Sequence, residues 1–157
     1  MRGWFLAMVI ACVIAPGRAS GDKPMRALAV IVAKGSKITA LSSAELKRAF
    51  SGDAVVVDDQ RLIPFNYPPG SMERVGFDRA VLDMSEAEVG RFWVDRKIRG
   101  EGEPPRALPT ALHVHKIVAR FPGAIGYLPL DQLTPDVVAI KIDGLLPSAH
   151  GYSIFIR

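Results

Sequence analysis

Hydrophobic and polar positions along this chain change period several times, which predicts an alternation of strands and helices. The continuous apolar run from Ala27 to Ala33 has a β-branched centre and predicts a strand buried on both faces. Helical spacing of apolar positions follows in four segments, which are 42–52, 71–82, 85–100 and 109–121. Shorter strand-like runs cover 54–57, 61–65, 124–128, 137–142 and 152–156.

Two of the predicted helices carry clear start signals. Ser42 is followed three residues later by Glu45, and Ser85 by Glu88, so each pair forms a capping box at a helix N-terminus. Because helices and strands alternate without an internal repeat, we expect an α/β fold with a mixed β-sheet flanked by helices. The 138 residues from Ser20 onward are enough for one domain with a core of its own, so residues 20–157 are predicted to be a single domain.

The first 19 residues predict a secretory signal peptide. Arg2 gives a basic start, Trp4 to Ile14 is apolar, and small residues surround Arg18. The apolar run is about half of the roughly 20 residues that a spanning helix needs, so we expect export to the periplasm or another extracytoplasmic location. In the alternative interpretation, Val9 to Cys12 is a lipobox and Cys12 becomes a lipidated anchor.

Charge and the available nucleophiles exclude two classes of function. The chain has 20 basic and 16 acidic residues, and these are interspersed without a basic block, so nucleic acid is not an expected partner. No serine lies in a G-x-S-x-G context, and the single cysteine, Cys12, falls in the predicted signal. We therefore predict a protein that is not an enzyme, without catalytic residues or a cofactor.

Metal ligands are also not expected. His113 and His115 lie in a helical segment, where positions two apart diverge by about 200°, and the chain has no H-E-x-x-H spacing. The acidic pair Asp58-Asp59 belongs to a predicted turn and is interpreted as solvated. The sequence thus predicts no metal site.

The segment from Asn66 to Arg74 is the best candidate for a binding site. It ends a strand, turns at Gly70-Ser71 and opens a helix, and the first N–H groups of a helix are ready donors for an oxyanion. We expect Asn66 to donate to the anion, Gly70 to allow close approach, Ser71 to supply a hydroxyl and an N–H, and Arg74 to balance charge. Glu73, in the first turn, opposes a bound anion.

Three segments taken together resemble the phosphate-binding periplasmic receptors of ABC transporters. They are Leu28–Val32 followed by 41–52, then Ile63 through Gly70-Ser71 to Phe77, and then Phe121-Pro-Gly-Ala-Ile-Gly-Tyr127. The resemblance implies one periplasmic-binding-protein-like lobe, where the longer receptors close two lobes over phosphate. The family's site has an arginine three residues before a Gly-Ser-Gly-Thr sequence. Here Tyr67 takes that position, and Met72-Glu73 follow Gly70-Ser71.

The sequence therefore predicts an exported substrate-binding-protein-like domain that binds phosphate or a similar oxyanion in uptake linked to an ABC transporter. A second lobe, a second chain or a membrane transporter is the partner that the resemblance implies. The alternative is an envelope protein-interaction module, without catalytic activity, that has lost its ligand.

Overall fold

The computed structural model describes residues 25–156. Its four helices are α1 (Ser43–Phe50), α2 (Met72–Phe77), α3 (Glu86–Ile98) and α4 (Ala111–Arg120). Its ten strands are β1 (Arg26–Ala33), β2 (Ala40–Leu41), β3 (Val56–Val57), β4 (Gln60–Arg61), β5 (Ile63–Asn66), β6 (Arg106–Ala107), β7 (Ala124–Pro129), β8 (Val137–Ala139), β9 (Lys141–Ile142) and β10 (Phe155–Ile156). The predicted signal segment and Cys12 lie outside the described residues.

A six-stranded mixed sheet organises the domain. Its strand order is β10-β1-β7-β5-β6, and β8 also pairs with β1. The β5 strand runs parallel to both β6 and β7, whereas β1 is antiparallel to β7, β8 and β10. The predicted α/β fold with a mixed sheet flanked by helices is thereby confirmed.

The two central strands are buried, as the apolar run in the sequence predicted. Leu28 to Val32 in β1 are at most 1% exposed, and β7 is buried along its whole length. Helix α4 packs against both strands through Val114 and Val118, which are fully buried. Both capping boxes are formed, since Ser42 and Ser85 each accept from the N3 backbone while the N3 glutamate accepts from the cap N–H.

Several predicted boundaries differ from the structure. The hairpin after α1 pairs only β3 with β4 around Asp58-Asp59, and the longer β5 joins the main sheet instead. The run 137–142 divides near Ile140, because β8 pairs with β1 while β9 pairs with β2 in a separate two-stranded sheet. Such divisions depend on partners far along the chain, which local periodicity does not encode. None of the helices within 25–156 has the length and apolar character needed to span a bilayer.

Candidate functional site

The candidate site lies where three parallel strands end at one edge of the sheet. The carboxyl ends of β5, β6 and β7 meet there, because β5 is parallel to both of its neighbours. Helix α2 begins just beyond β5, with Ser71 as its N-cap, and α4 begins just beyond β6, with Thr110 as its N-cap. In open α/β sheets, ligands bind outside the carboxyl ends of the strands, so this edge is the natural place for a binding site.

The turn that opens α2 has a backbone geometry suited to an anion. Gly70 has φ of +81°, in the left-handed region that favours glycine, and Ser71 has an extended conformation with φ −67° and ψ 146°. The Ser71 hydroxyl donates to the Pro68 carbonyl at 2.8 Å and accepts from the Arg74 N–H at 3.4 Å. The hydroxyl predicted to bind the ligand is therefore engaged within the turn.

Two backbone donors at this turn have no acceptor within the part of the chain that the structure describes. They are the N–H groups of Met72 and Glu73, at the first two positions of α2. Helix starts leave such groups without intrahelical partners, and the helix dipole favours negative charge beside them. These amides can hold one oxygen atom of a small anion.

Asn66 lies behind the turn rather than on its outer surface. It is 2% exposed, and its side-chain Oδ1 accepts from the Tyr67 N–H at 3.0 Å and from the Tyr127 hydroxyl. Its backbone carbonyl accepts from the Leu108 N–H at 2.7 Å. These contacts fix the end of β5 and thereby the position of the turn.

Arg74 is also buried, at 7% exposure, and its charge is already compensated. Its Nε donates to Asp78 Oδ2 at 3.1 Å, and one terminal nitrogen donates to the Tyr67 carbonyl at 3.1 Å. Burial raises the pKa of Asp78, while the adjacent Arg74 guanidinium acts to lower it. The guanidinium therefore ties α2 to the segment that precedes it, and Asp78 neutralises its charge.

Tyr67 stands where the resembling receptors have an arginine, and it is a buried residue here. It is 3% exposed, its ring centroid lies 5.3 Å from that of Tyr127, and its hydroxyl has no hydrogen-bond partner among residues 25–156. Burial raises the pKa of the Tyr67 hydroxyl, and the negative charge of Glu73 raises it further. Tyr67 thus adds bulk and a neutral hydroxyl at this position, and no positive charge.

Negative charge surrounds the turn. Glu73 is in the first turn of α2, and Glu86 opens α3 nearby. A Cβ atom built on Gly70 would lie 3.4 Å from Glu86 Oε1, which places that carboxylate directly beside the turn. An anion placed at the Met72 and Glu73 amides would therefore face the repulsion of two carboxylates.

Residues 25–156 contain no group of three or more His, Cys, Asp or Glu side chains arranged to hold a metal ion. His113 and His115 lie on α4, where Thr110 Oγ1 contacts the His113 ring at 2.8 Å and Asp136 lies 3.6 Å from His115 Nε2. Within residues 25–156, no hydrogen bond or ion pair joins either histidine side chain to the Asn66–Arg74 turn.

Asp78, Glu86 and Tyr127 shape the candidate site, and sequence reasoning did not assign them to it. The four-residue spacing of Arg74 and Asp78 on one helix is a readable signal for an ion pair. Glu86 and Tyr127 reach the turn only through tertiary packing, and no local pattern identifies them.

Comparisons with known proteins relate this chain to phosphate receptors. No family model matches the chain. The chain is 35% identical over 115 residues to the phosphate-binding protein PstS of Bacillus subtilis, an alignment that covers 69% of this chain and 33% of that protein. The chain thus spans about a third of the length of the curated relative it matches.

Solved structures show the same fold. An ABC-type phosphate transport receptor from Vibrio cholerae superimposes with a TM-score of 0.66 at 16% identity, over 84% of this chain and 54% of the receptor. PstS from Borrelia burgdorferi gives a TM-score of 0.64 at 15% identity, over 85% and 55% of the two chains.

A putative phosphate ABC transporter substrate-binding protein from Clostridium perfringens, solved with bound phosphate, superimposes with a TM-score of 0.63 at 18% identity. The match covers 78% of this chain and 47% of that protein. This chain is therefore similar to phosphate ABC transporter substrate-binding proteins and corresponds to part of these longer proteins.

Proposed function

We propose that this protein is an exported receptor domain without catalytic activity, which binds phosphate or a similar oxyanion at the Asn66–Arg74 turn for an ABC transporter. The observation that carries the proposal is the pair of backbone N–H groups of Met72 and Glu73, which have no acceptor within residues 25–156. Gly70 lets the anion approach, and the Ser71 hydroxyl fixes the turn. Asn66 and Arg74 stabilise the turn through hydrogen bonds to neighbouring residues. The names of the relatives support phosphate as the anion.

Simple energetics predict weak binding. A helix start contributes about 1 kcal/mol toward an anion, and a hydrogen bond to a charged group contributes about 1.5–3 kcal/mol. At the upper end of these ranges the sum is about 4 kcal/mol, which corresponds to a dissociation constant of roughly 1 mM. A second lobe or chain that covers the turn would exclude water and raise the affinity, and we propose such a partner for tight capture.

Met72→Pro tests the site without removing the helix. Proline is accepted at the first position of a helix, and the extended conformation of Ser71 suits a residue that precedes proline. The variant lacks one of the two N–H donors, so its phosphate affinity, measured by calorimetry at low ionic strength, is expected to fall about tenfold. Glu73→Gln removes a repulsive charge and is expected to strengthen binding about fivefold.

Ser43→Pro is the matched control, because it places proline at the same position of α1, where the N–H already donates to Asp143 Oδ1 at 2.8 Å. Its phosphate affinity should equal that of the parent protein. The proposal fails if the folded parent protein binds none of the anions phosphate, sulfate and arsenate at about 10 mM, which is ten times the expected dissociation constant. It also fails if Met72→Pro and the parent bind phosphate equally well.

The second candidate function is that of an envelope protein-interaction module. It is favoured by the compensation of Arg74 by Asp78 and by the exposure of Met72 and Met25, which are 51% and 55% exposed and line a shared surface groove. If no oxyanion binds, retention of an envelope partner by the parent protein but not by Met72→Asp would support this function.

A further inference from the structure

A cavity of about 190 Å³ lies between α2 and α3, on the side of the turn away from β10. Apolar side chains form much of its wall, among them Pro69, Val89 and Trp93. Three charged side chains also line it, namely Arg74, Asp78 and Glu86. This volume is far more than a single water molecule needs, so the cavity can hold a molecule of several heavy atoms.

The charged groups of this cavity are unbalanced. Arg74 is paired with Asp78 through Oδ2, and Glu86 makes no ion pair or hydrogen bond within the described part of the chain. Glu86 therefore leaves the cavity with net negative charge. Its charge also adds to burial in raising the pKa of Asp78, which indicates that the two carboxyl groups interact.

Asp78 supplies an independent sign of a missing partner. The residue is 3% exposed, and its Oδ1 is buried without a hydrogen-bond partner among residues 25–156. Leaving a buried acceptor unsatisfied is destabilising, so such atoms are rare unless a ligand or an ordered water donates to them. Asp78 and Glu86 both line the cavity, so a donor that enters it comes close to the Asp78 carboxyl group and meets the charge of Glu86.

We propose that this cavity binds a small primary ammonium ion, with its nitrogen between Asp78 and Glu86 and its short alkyl chain against Trp93. An oxyanion does not fit, since it would face both carboxylates. A hard divalent metal ion fits poorly, because it requires six or more oxygen ligands and this cavity offers two carboxylates among apolar walls. An ammonium group provides three donors for the two carboxylates, and the indole ring of Trp93 offers an apolar surface for the alkyl chain.

Ethylammonium chloride is a suitable probe, and Trp93 is a suitable reporter. The chain has two tryptophans, Trp4 and Trp93, so the measurement uses the full chain with Trp4→Phe. We expect a saturable change in fluorescence at millimolar ethylammonium that sodium chloride at equal ionic strength does not produce. Sodium phosphate should also leave Trp93 unchanged, because the proposed oxyanion position is at the outer side of the turn.

Glu86→Gln is the decisive variant, since Glu86 is exposed and starts a helix whose cap is formed by Ser85. It should weaken ethylammonium binding about five- to tenfold. Glu103→Gln, which removes the same charge from an exposed loop residue outside the cavity lining, should change the affinity less than twofold. Asp78→Asn should also weaken binding, and circular dichroism establishes whether that variant is folded.

The proposal is overturned if sodium chloride reproduces the fluorescence change, if no saturable change occurs up to 100 times a dissociation constant of about 1 mM, or if Glu86→Gln binds like the parent. These outcomes are separate from those for phosphate, because the two ligands are tested with different variants and different signals.

Discussion

Phe77 and Tyr127 stack face to face at the centre of the domain, with ring centroids 3.8 Å apart and an interplanar angle of 2°. Phe77 ends α2, and Tyr127 lies in the central strand β7, so the stack joins the helix of the candidate site to the core. Both residues are fully buried. The position of the turn therefore depends on this aromatic contact as well as on local hydrogen bonds.

Phe77→Ala should destabilise the protein by about 3–5 kcal/mol, because the substitution leaves a cavity beneath α2 and removes the stack. Urea denaturation followed by circular dichroism measures the change. Phe121→Ala is the matched control, since Phe121 is 53% exposed, and it should cost less than about 0.5 kcal/mol. Equal losses for the two variants would contradict the role assigned to the stack.

Arg74→Ala should cost about 3–5 kcal/mol, because it leaves the buried Asp78 carboxylate without its partner. The side chains of this pair are 8% and 4% exposed. The pair Asp95 and Arg99 has the same four-residue spacing on α3, but its side chains are 63% and 54% exposed. Arg99→Ala should therefore cost less than about 1 kcal/mol in the same denaturation experiment. If both variants lose the same stability, burial does not govern the Arg74 pair.

Gly76→Ala and Gly90→Ala should change stability in opposite directions, although both glycines lie within helices. A Cβ at Gly76 would lie 2.6 Å from Ile156 Cγ2 and 2.7 Å from the Phe155 carbonyl oxygen, so β10 would have to move. We expect a loss of about 1–3 kcal/mol. Gly90 has no atom within 4 Å of that position, and alanine there should stabilise the protein by about 0.5–1 kcal/mol. Thermal unfolding of the two variants distinguishes these outcomes.

Glu45→Gln should destabilise the protein at pH 7 and lose this effect in acid. The Ser42 N–H donates to Glu45 Oε2 at 2.8 Å, and this backbone hydrogen bond, followed by the one from the Ser42 hydroxyl, lowers the pKa of Glu45. A lowered folded pKa means that the stabilisation is present above the unfolded pKa of about 4.3 and disappears as the pH falls through the folded value.

The expected difference between Glu45→Gln and the parent is about 0.3–1 kcal/mol at pH 7, and it should shrink toward zero near pH 2. Guanidinium denaturation at both pH values measures it. Glu103→Gln, in an exposed loop, is the control and should match the parent at each pH. A difference that stays constant with pH would show that the Glu45 charge is not responsible.

Local features of the fold were accessible from the sequence, and long-range ones were not. The two capping boxes, the buried β1 and the start of α2 after Ser71 depend on residues within four positions of one another. The π-helical turn Asp78–Leu82 that continues α2 and the two-residue strand β6 have no comparable local signal.

The sequence singled out the segment from Asn66 to Arg74 as the candidate site. It did not predict which way the side chains of this segment point. Asn66 was expected to donate to the anion and Arg74 to balance its charge; in the structure Asn66 accepts from the Tyr127 hydroxyl, and Arg74 donates to Asp78. Tyr127 is 61 residues from Asn66 along the chain, so no pattern around Asn66 predicts that contact.

The close approach of Gly76 to β10 also sets an order of events during folding. Helix α2 rests on Phe155 and Ile156, which are about 80 residues further along the chain. The entropy of closing the intervening loop has to be overcome before contacts of such high sequence separation form. During synthesis, the turn that opens α2 therefore cannot acquire its final support until these distant residues have emerged and paired with β1.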